Sequence, residues 1–193
     1  MSKSPELQEF RFGLGHPALE FLATLAFRIG EPLERLATPV DLSRWLEQAG
    51  FAGAARCDDE LLAEAQALRE SIYRVIDAAR GGRRPRSSDV TLINEWAGSP
   101  TPSPQLDTAL RRTWLGPDPA HAALAQLAGS AIELVSGPKL ARVSNCANPS
   151  CSLLFIDHSR PGRRRWCSME RCGNRAKTAR YRRHRRQVSG EDS

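Results

Sequence analysis

The sequence predicts a mainly α-helical protein in two parts: a helical N-terminal domain with a small β element, and a C-terminal finger ending in a basic helix. Three observations predict it. Apolar residues in the first two-thirds of the chain recur at helical spacing between capping and stop signals. Four of the five cysteines lie between positions 146 and 172. Positive charge gathers in the same stretch. Residues 1–139 hold 15 Lys and Arg against 18 Asp and Glu, whereas residues 140–187 hold 13 against 2. A slightly acidic body thus carries a strongly basic module, which points to a polyanionic partner for the module alone. The chain has 193 residues, 40% of them hydrophobic, enough for one ordinary core with a small appendage.

"EFRFG" near the start alternates weakly. "GHPALEFLATLAFRIG" places Leu19, Leu22, Ala26 and Ile29 at helical spacing after Pro17, so a helix is expected throughout. His16, Glu20, Thr24 and Arg28 would then share one helix face. That stripe is either a solvated face or the edge of a ligand pocket. "TPVDLSRWLEQAGF" reads as a helix capped by Thr38, with Pro39 at its first position and Gly50 as its stop. The longest helix is expected in "DDELLAEAQALRESIYRVIDAARGG", where Leu61, Ala65, Leu68, Ile72, Val75, Ile76 and Ala79 form a stripe. The exposed basic loop Gly81–Arg86 reads as a solvated connection. "SSDVTLINEWAG" is a shorter helix, and "TPSPQLDTALRRTWLGP" suggests a short strand or hairpin. A last body helix begins at Asp118-Pro119 and stops at Gly137-Pro138. The boundaries are therefore 1–138 for the body, 139–187 for the finger and 188–193 for a tail. Within the finger, "LARVSN" and "LLFID" read as strands, "RRW" as a third, and "NRAKTARYRRHRRQ" as a terminal helix.

The cysteines are spaced C-x4-C-x15-C-x4-C. Two short loops let paired sulfurs face one ion, and "CANPSC" supplies turn-prone residues inside the first. Gly173, just after the last cysteine, is expected to take a positive φ, and Asn174 to cap the helix. Tetrahedral zinc on Cys146, Cys151, Cys167 and Cys172, in a zinc-ribbon-like fold, is the favoured reading. Four thiolates close the coordination sphere, so the ion would be structural. Two disulfides or an iron–sulfur centre are the alternatives. No apolar run follows the N-terminal lysine, so a cytoplasmic setting is expected, and there thiols stay reduced. His158 could be a spare ligand or a surface loop histidine. Cys57 reads as a small half-buried residue.

Arginine dominates the terminal helix and the loop before it. Arg163, Arg164, Arg165, Arg175, Lys177, Arg180, Arg182 and Arg183 are the candidate nucleic-acid contacts. A helix charged nearly all round has no core face and no apolar face for a membrane. No nucleophile–base pair, carboxylate pair or phosphate loop suggests an enzyme.

The stretch "CANPSCSLLFIDHSRPGRRRWCSMERCGNRAKTARYRRHRR" resembles the bacterial CGNR zinc-finger family, through its four cysteines, Phe155, Asp157, Ser159, Arg165, Trp166 and Cys172-Gly173-Asn174-Arg175. "FGLGHPALEFLATL" and "TPVDLSRWLEQAG" resemble the ABATE domain that usually precedes such fingers. Ala23 departs from an asparagine frequent there. The resemblance implies a stress-responsive transcription regulator, with the finger on double-stranded DNA and the N-terminal domain sensing a small-molecule effector. A homodimer fits this reading. An RNA-binding or ribosome-associated zinc protein is the alternative; Phe155 and Trp166 look structural, which favours DNA over base stacking.

Overall fold

The computed structural model describes residues 9–51, 57–100, 103–116 and 118–188. The expected tail beyond 188 lies outside them, as do the side chains of Trp114 and Arg183. Helices α1 (Pro17–Leu22), α2 (Pro39–Gln48), α3 (Asp59–Arg80), α4 (Ser87–Ala97) and α5 (Pro119–Ser136) build the body. Three two-stranded antiparallel sheets accompany them: β1 (Leu25–Ala26) with β2 (Leu33–Glu34), β3 (Ser103–Leu106) with β4 (Arg112–Leu115), and β5 (Val143–Asn145) with β6 (Leu154–Ile156). The basic helix α6 spans Asn174–Val188.

Local chemistry explains the well-predicted helices. At α2 the Thr38 hydroxyl accepts from the Asp41 amide while the Asp41 carboxylate accepts from the Thr38 amide, a reciprocal capping box. Asp58 caps α3 by accepting from the Leu61 amide at 2.8 Å. The α3 stripe is buried against α1, α4 and α5. At the end of this core the fully buried Trp45 gathers the rings of Phe21, Phe51 and Phe12 at 5.2–6.3 Å.

The expected long first helix is not found: α1 ends at Leu22. Distant guanidinium groups take the carbonyls that a longer helix would use. Arg35 donates to the Ala23 carbonyl at 2.9 Å, and Arg28 to the Leu22 carbonyl at 3.2 Å. The chain then reverses through Phe27, at φ 53°, into the β1–β2 pair, leaving Ile29 exposed. The hairpin β3–β4 is found where expected, with Thr108 and Leu110 in its turn. In the finger, "RRW" forms no strand; a single bond from the Ala147 amide to the Arg165 carbonyl, 2.8 Å, ties it to the first cysteine loop.

Body and finger share one core. Val143, Leu153, Leu154, Phe155 and Ile156 are buried in the same apolar cluster as Phe10, Leu14 and Leu19. The Ile156 amide donates to the Leu14 carbonyl at 2.8 Å, and Arg80, at the end of α3, donates to the Val143 carbonyl at 3.1 Å. Gly15, at φ 90°, lets the segments meet, since a Cβ there would lie 2.8 Å from His158 Nε2 and 3.2 Å from Ile156 Cβ.

Candidate metal centre and basic surface

The strand pair β5–β6 carries Cys146 and Cys151 at the ends of one loop. The first cysteine follows β5, and its amide bonds the Leu153 carbonyl at 3.0 Å. Between them Asn148 makes a side-chain turn, its Oδ1 accepting from the Ser150 amide at 3.1 Å. Cys167 follows the basic loop. Cys172 lies in a π-turn, Met169–Gly173, where the amides of Cys172 and Gly173 both donate to the Ser168 carbonyl. The four Sγ atoms lie within 4.8 Å of one another, and three of the four residues are buried.

These residues fit a tetrahedral ion. Sulfurs about 2.3 Å from a central zinc stand about 3.8 Å apart. Cys167 Sγ is 3.8 Å from Cys151 Sγ and 3.6 Å from Cys172 Sγ. A disulfide needs about 2.05 Å, and all the cysteines are free. Hydrogen bonds to sulfur orient the set: the Asn148 amide group donates to Cys172 Sγ and the Cys167 amide to Cys146 Sγ, both at 3.5 Å. The thiols compete for ionisation. The Cys167 thiol hydrogen bond holds the Cys151 pKa down to about 6, the same contact raises that of Cys167, and burial lifts Cys172 to about 11. Bringing a cation among them would displace the protons still bound.

The CGNR turn departs from expectation. Asn174 is already helical, at φ −65° and ψ −39°, and its side-chain nitrogen donates to the Glu170 carbonyl at 3.0 Å. The turn through Cys172 leads straight into α6, so no cap is needed there. Gly173 has no positive φ. It is small for another reason: a Cβ would come within 2.8 Å of Met169 Sδ and 3.3 Å of Trp166 Cδ1.

The candidate cations divide by role. Arg175, Lys177, Arg180 and Arg182 are exposed on α6, and Arg163 and Arg165 are exposed on the loop. Arg165 lies over the Trp166 ring, 5.1 Å from its centroid. Arg164 is instead built into the finger. Its guanidinium covers the Phe155 ring at 4.6 Å and donates to the Trp166 carbonyl at 3.0 Å. The buried Asp157 organises this loop by accepting from the amides of Ser159 and Arg164 at 2.8 and 2.9 Å. Hydrogen bonds from Ser159, then from the Arg164 amide, hold its carboxyl below the usual aspartate range.

The four residues expected to share one helix face, as a solvated stripe or a pocket edge, do not share one, because α1 stops before Thr24. Glu20 accepts from the amides of Gly13 and Leu14 at 2.8 and 3.2 Å. The Thr24 hydroxyl donates to the Phe21 carbonyl and accepts from Arg69. Arg28 pairs with Glu70 and stacks on Tyr73 at 4.2 Å. His16 is buried, and burial followed by the charge of Lys139 lowers its pKa. Glu20, Thr24 and Arg28 are thus engaged in bonds that hold the body together.

Sequence reasoning missed Arg69, which is 2% exposed and grips both oxygens of Glu34 at 2.7 and 2.6 Å. An arginine in the middle of an apolar helical stripe was the available signal. His158 stands on Gly15 and is not among the clustered ligands. Cys57 is half-buried, and burial raises its pKa. Among the described residues no helix is long and apolar enough to cross a membrane.

Two family descriptions fit the chain. One, "Putative stress-induced transcription regulator" (ABATE), matches residues 15–138, and the other, "CGNR zinc finger", matches residues 142–186. No curated protein matches it. The chain therefore belongs to the ABATE family and carries a CGNR zinc finger at its C-terminal end.

Proposed function

We propose that this protein is a zinc-dependent DNA-binding transcription regulator. The observation that carries the reading is a helix rooted in a four-thiolate cluster and exposed at Arg175, Lys177, Arg180, Tyr181 and Arg182 alike. These side chains face solvent, and their charge favours a polyanion.

Zinc held by Cys146, Cys151, Cys167 and Cys172 would supply folding energy rather than chemistry. The rest falls to the protein's own residues. At about 100° per residue, Arg175 and Arg182 share a face, with Lys177 and Arg180 far round the cylinder. In a major groove about 12 Å wide, the first pair suits base edges while the second reaches a phosphate wall. Arg163, Arg165 and Arg183 add backbone contacts, and Arg164 positions the loop. Arg175 emerges three residues after a metal ligand, so less entropy is lost when it is immobilised than for an arginine further along. The protein acts in the cytoplasm on duplex DNA, and its N-terminal domain relays a stress signal.

Fluorescence anisotropy with labelled duplex DNA and single-stranded RNA, over a range of salt, tests this. With about five phosphates engaged, log K should fall against log salt with a slope of about −4.5 on duplex. Tighter binding to RNA, for which exposed Tyr181 offers a stacking surface, or a salt-independent affinity would overturn the reading.

A further inference from the structure

The helices α3, α4 and α5 leave between them a cavity of ≈ 220 Å³ that opens to solvent on one side. Buried Ile72, Val75, Ile93 and Ala131 line its inner part, and half-buried Val90 and Val135 lie nearer the surface. Packed interiors keep few voids larger than a water molecule. Water is also held poorly here, because an enclosed water needs about two to four polar partners. Asn94 and Ser136 are the polar residues of the described lining, and the Ser136 hydroxyl already donates to the Ile132 carbonyl at 2.8 Å. Aliphatic space of this kind favours an apolar guest.

The size and the rim restrict that guest. A cavity of about 150 Å³ admits benzene, and drug-sized ligands need about 300 Å³ or more. The space lies between these, with room for one ring and short substituents. The mouth suits a protein partner badly. Of the described lining residues, only Ile132 is a large hydrophobe with substantial exposure, 38%. Exposed Arg84, Arg86, Glu95 and Glu133 adjoin the lining residues Pro85, Asn94 and Ile132 in the chain. A docked protein must cover about 1,000 Å² or more, and here it would lie over these charges.

We propose that this cavity binds a small, neutral, mainly hydrocarbon molecule of one ring. It is also where the N-terminal domain takes its signal, a role that rests on the DNA-binding function proposed above. Two of the cavity's walls lead to the finger. Helix α5 ends at Ser136, and Gly137 and the turn Pro138–Arg142 run directly into β5. Helix α3 ends at Arg80, which donates to the Val143 carbonyl at 3.1 Å and to Asn145 Oδ1 at 3.0 Å. A guest that changes the spacing of α3 and α5 would shift both attachments of β5.

The test is isothermal titration of p-cresol into the zinc-loaded full chain. Saturable binding of one molecule per chain is expected. The ionised analogue p-toluate should bind at least about tenfold more weakly, because its carboxylate would lose hydration among these side chains. Val135→Phe should weaken p-cresol binding by about tenfold or more by filling the space, and Ala131→Leu is a second filling variant with the same expected loss. Circular dichroism checks that each is folded. No saturable binding to the unsubstituted chain, up to the solubility of p-cresol, overturns the proposal. So does binding that both folded filling variants leave unchanged, or equal binding of p-toluate, which would put the molecule on the basic surface. A dimer broken by Val135→Phe in analytical ultracentrifugation, with no p-cresol bound, would assign the cavity to a second copy and also overturns it. Duplex DNA affinity with and without saturating p-cresol tests the signal, and a change of about fivefold or more is expected. Duplex binding that p-cresol leaves unchanged would overturn the signalling role. No duplex binding in either state would overturn the DNA-binding function and that role with it, while the titration still decides the cavity.

Discussion

Replacing Cys167 by serine removes one thiolate from the cluster and, with it, the sulfur contacts of 3.8 and 3.6 Å to Cys151 and Cys172. Structural zinc supplies about 10–16 kcal/mol to small finger peptides, so a site of three thiolates leaves the finger without its main stabilisation. The damage should pass into the body. Phe155 and Ile156 are both 0% exposed within the shared core. Releasing each costs about 1.5–3 kcal/mol, and the pair about 3–6 kcal/mol as an upper estimate. In a chain of this length each kcal/mol moves Tm by about 2–4 °C, so Tm should fall by about 6–24 °C. Elemental analysis and thermal unfolding followed by circular dichroism read both effects on the same sample. Zinc lost with Tm unchanged would refute the shared core. Zinc retained at one per chain with full affinity would refute the four-thiolate centre.

Other perturbations separate the roles assigned above. Arg164→Ala should lower stability by about 1–3 kcal/mol, through the lost bond to a buried carbonyl and the uncovered Phe155 ring, while the exposed Arg163→Ala should change it by less than about 0.5 kcal/mol; denaturant titration compares them. Asp89 is 4% exposed and bonded by Arg74, whose hydrogen bonds hold its carboxyl below the usual range. Its stabilisation should be complete above the ordinary aspartate pKa of about 3.9 and fade as pH falls through the lower folded value. Asp89→Asn should remove that acid dependence and cost about 1–3 kcal/mol at neutral pH, with zinc content unchanged. Zinc itself should be released as pH falls, because its ligands must be thiolates; a chromogenic chelator would follow the release.

Elements governed by their own residues were legible in the sequence. Thr38, Pro39 and Asp41 announce α2 locally, and the apolar stripe announces α3. The cysteine spacing announces the cluster because each pair closes a loop of only four residues, which keeps its two sulfurs close. What stayed hidden depends on partners far along the chain. Leu19, Leu22, Ala26 and Ile29 have helical spacing, but nothing nearby reveals that Arg35 will take the Ala23 carbonyl. The basic run Arg163–Arg165 looks uniform, yet Phe155 recruits only Arg164. The change of composition near residue 138 suggests two separate units, whereas Leu14, Phe155 and Ile156 pack as one.

A metal cluster that aims an arginine helix at DNA would make duplex binding depend on zinc. The most direct measurement is duplex affinity at one fixed salt concentration for the zinc-loaded protein, the chelator-stripped protein and zinc-loaded Arg175→Ala. Binding by the loaded protein is expected, with none by the stripped protein and a loss of about 1–3 kcal/mol for Arg175→Ala at full zinc content. Equal affinity with and without zinc would contradict it, since the arginines would then act as an unaimed cationic tail.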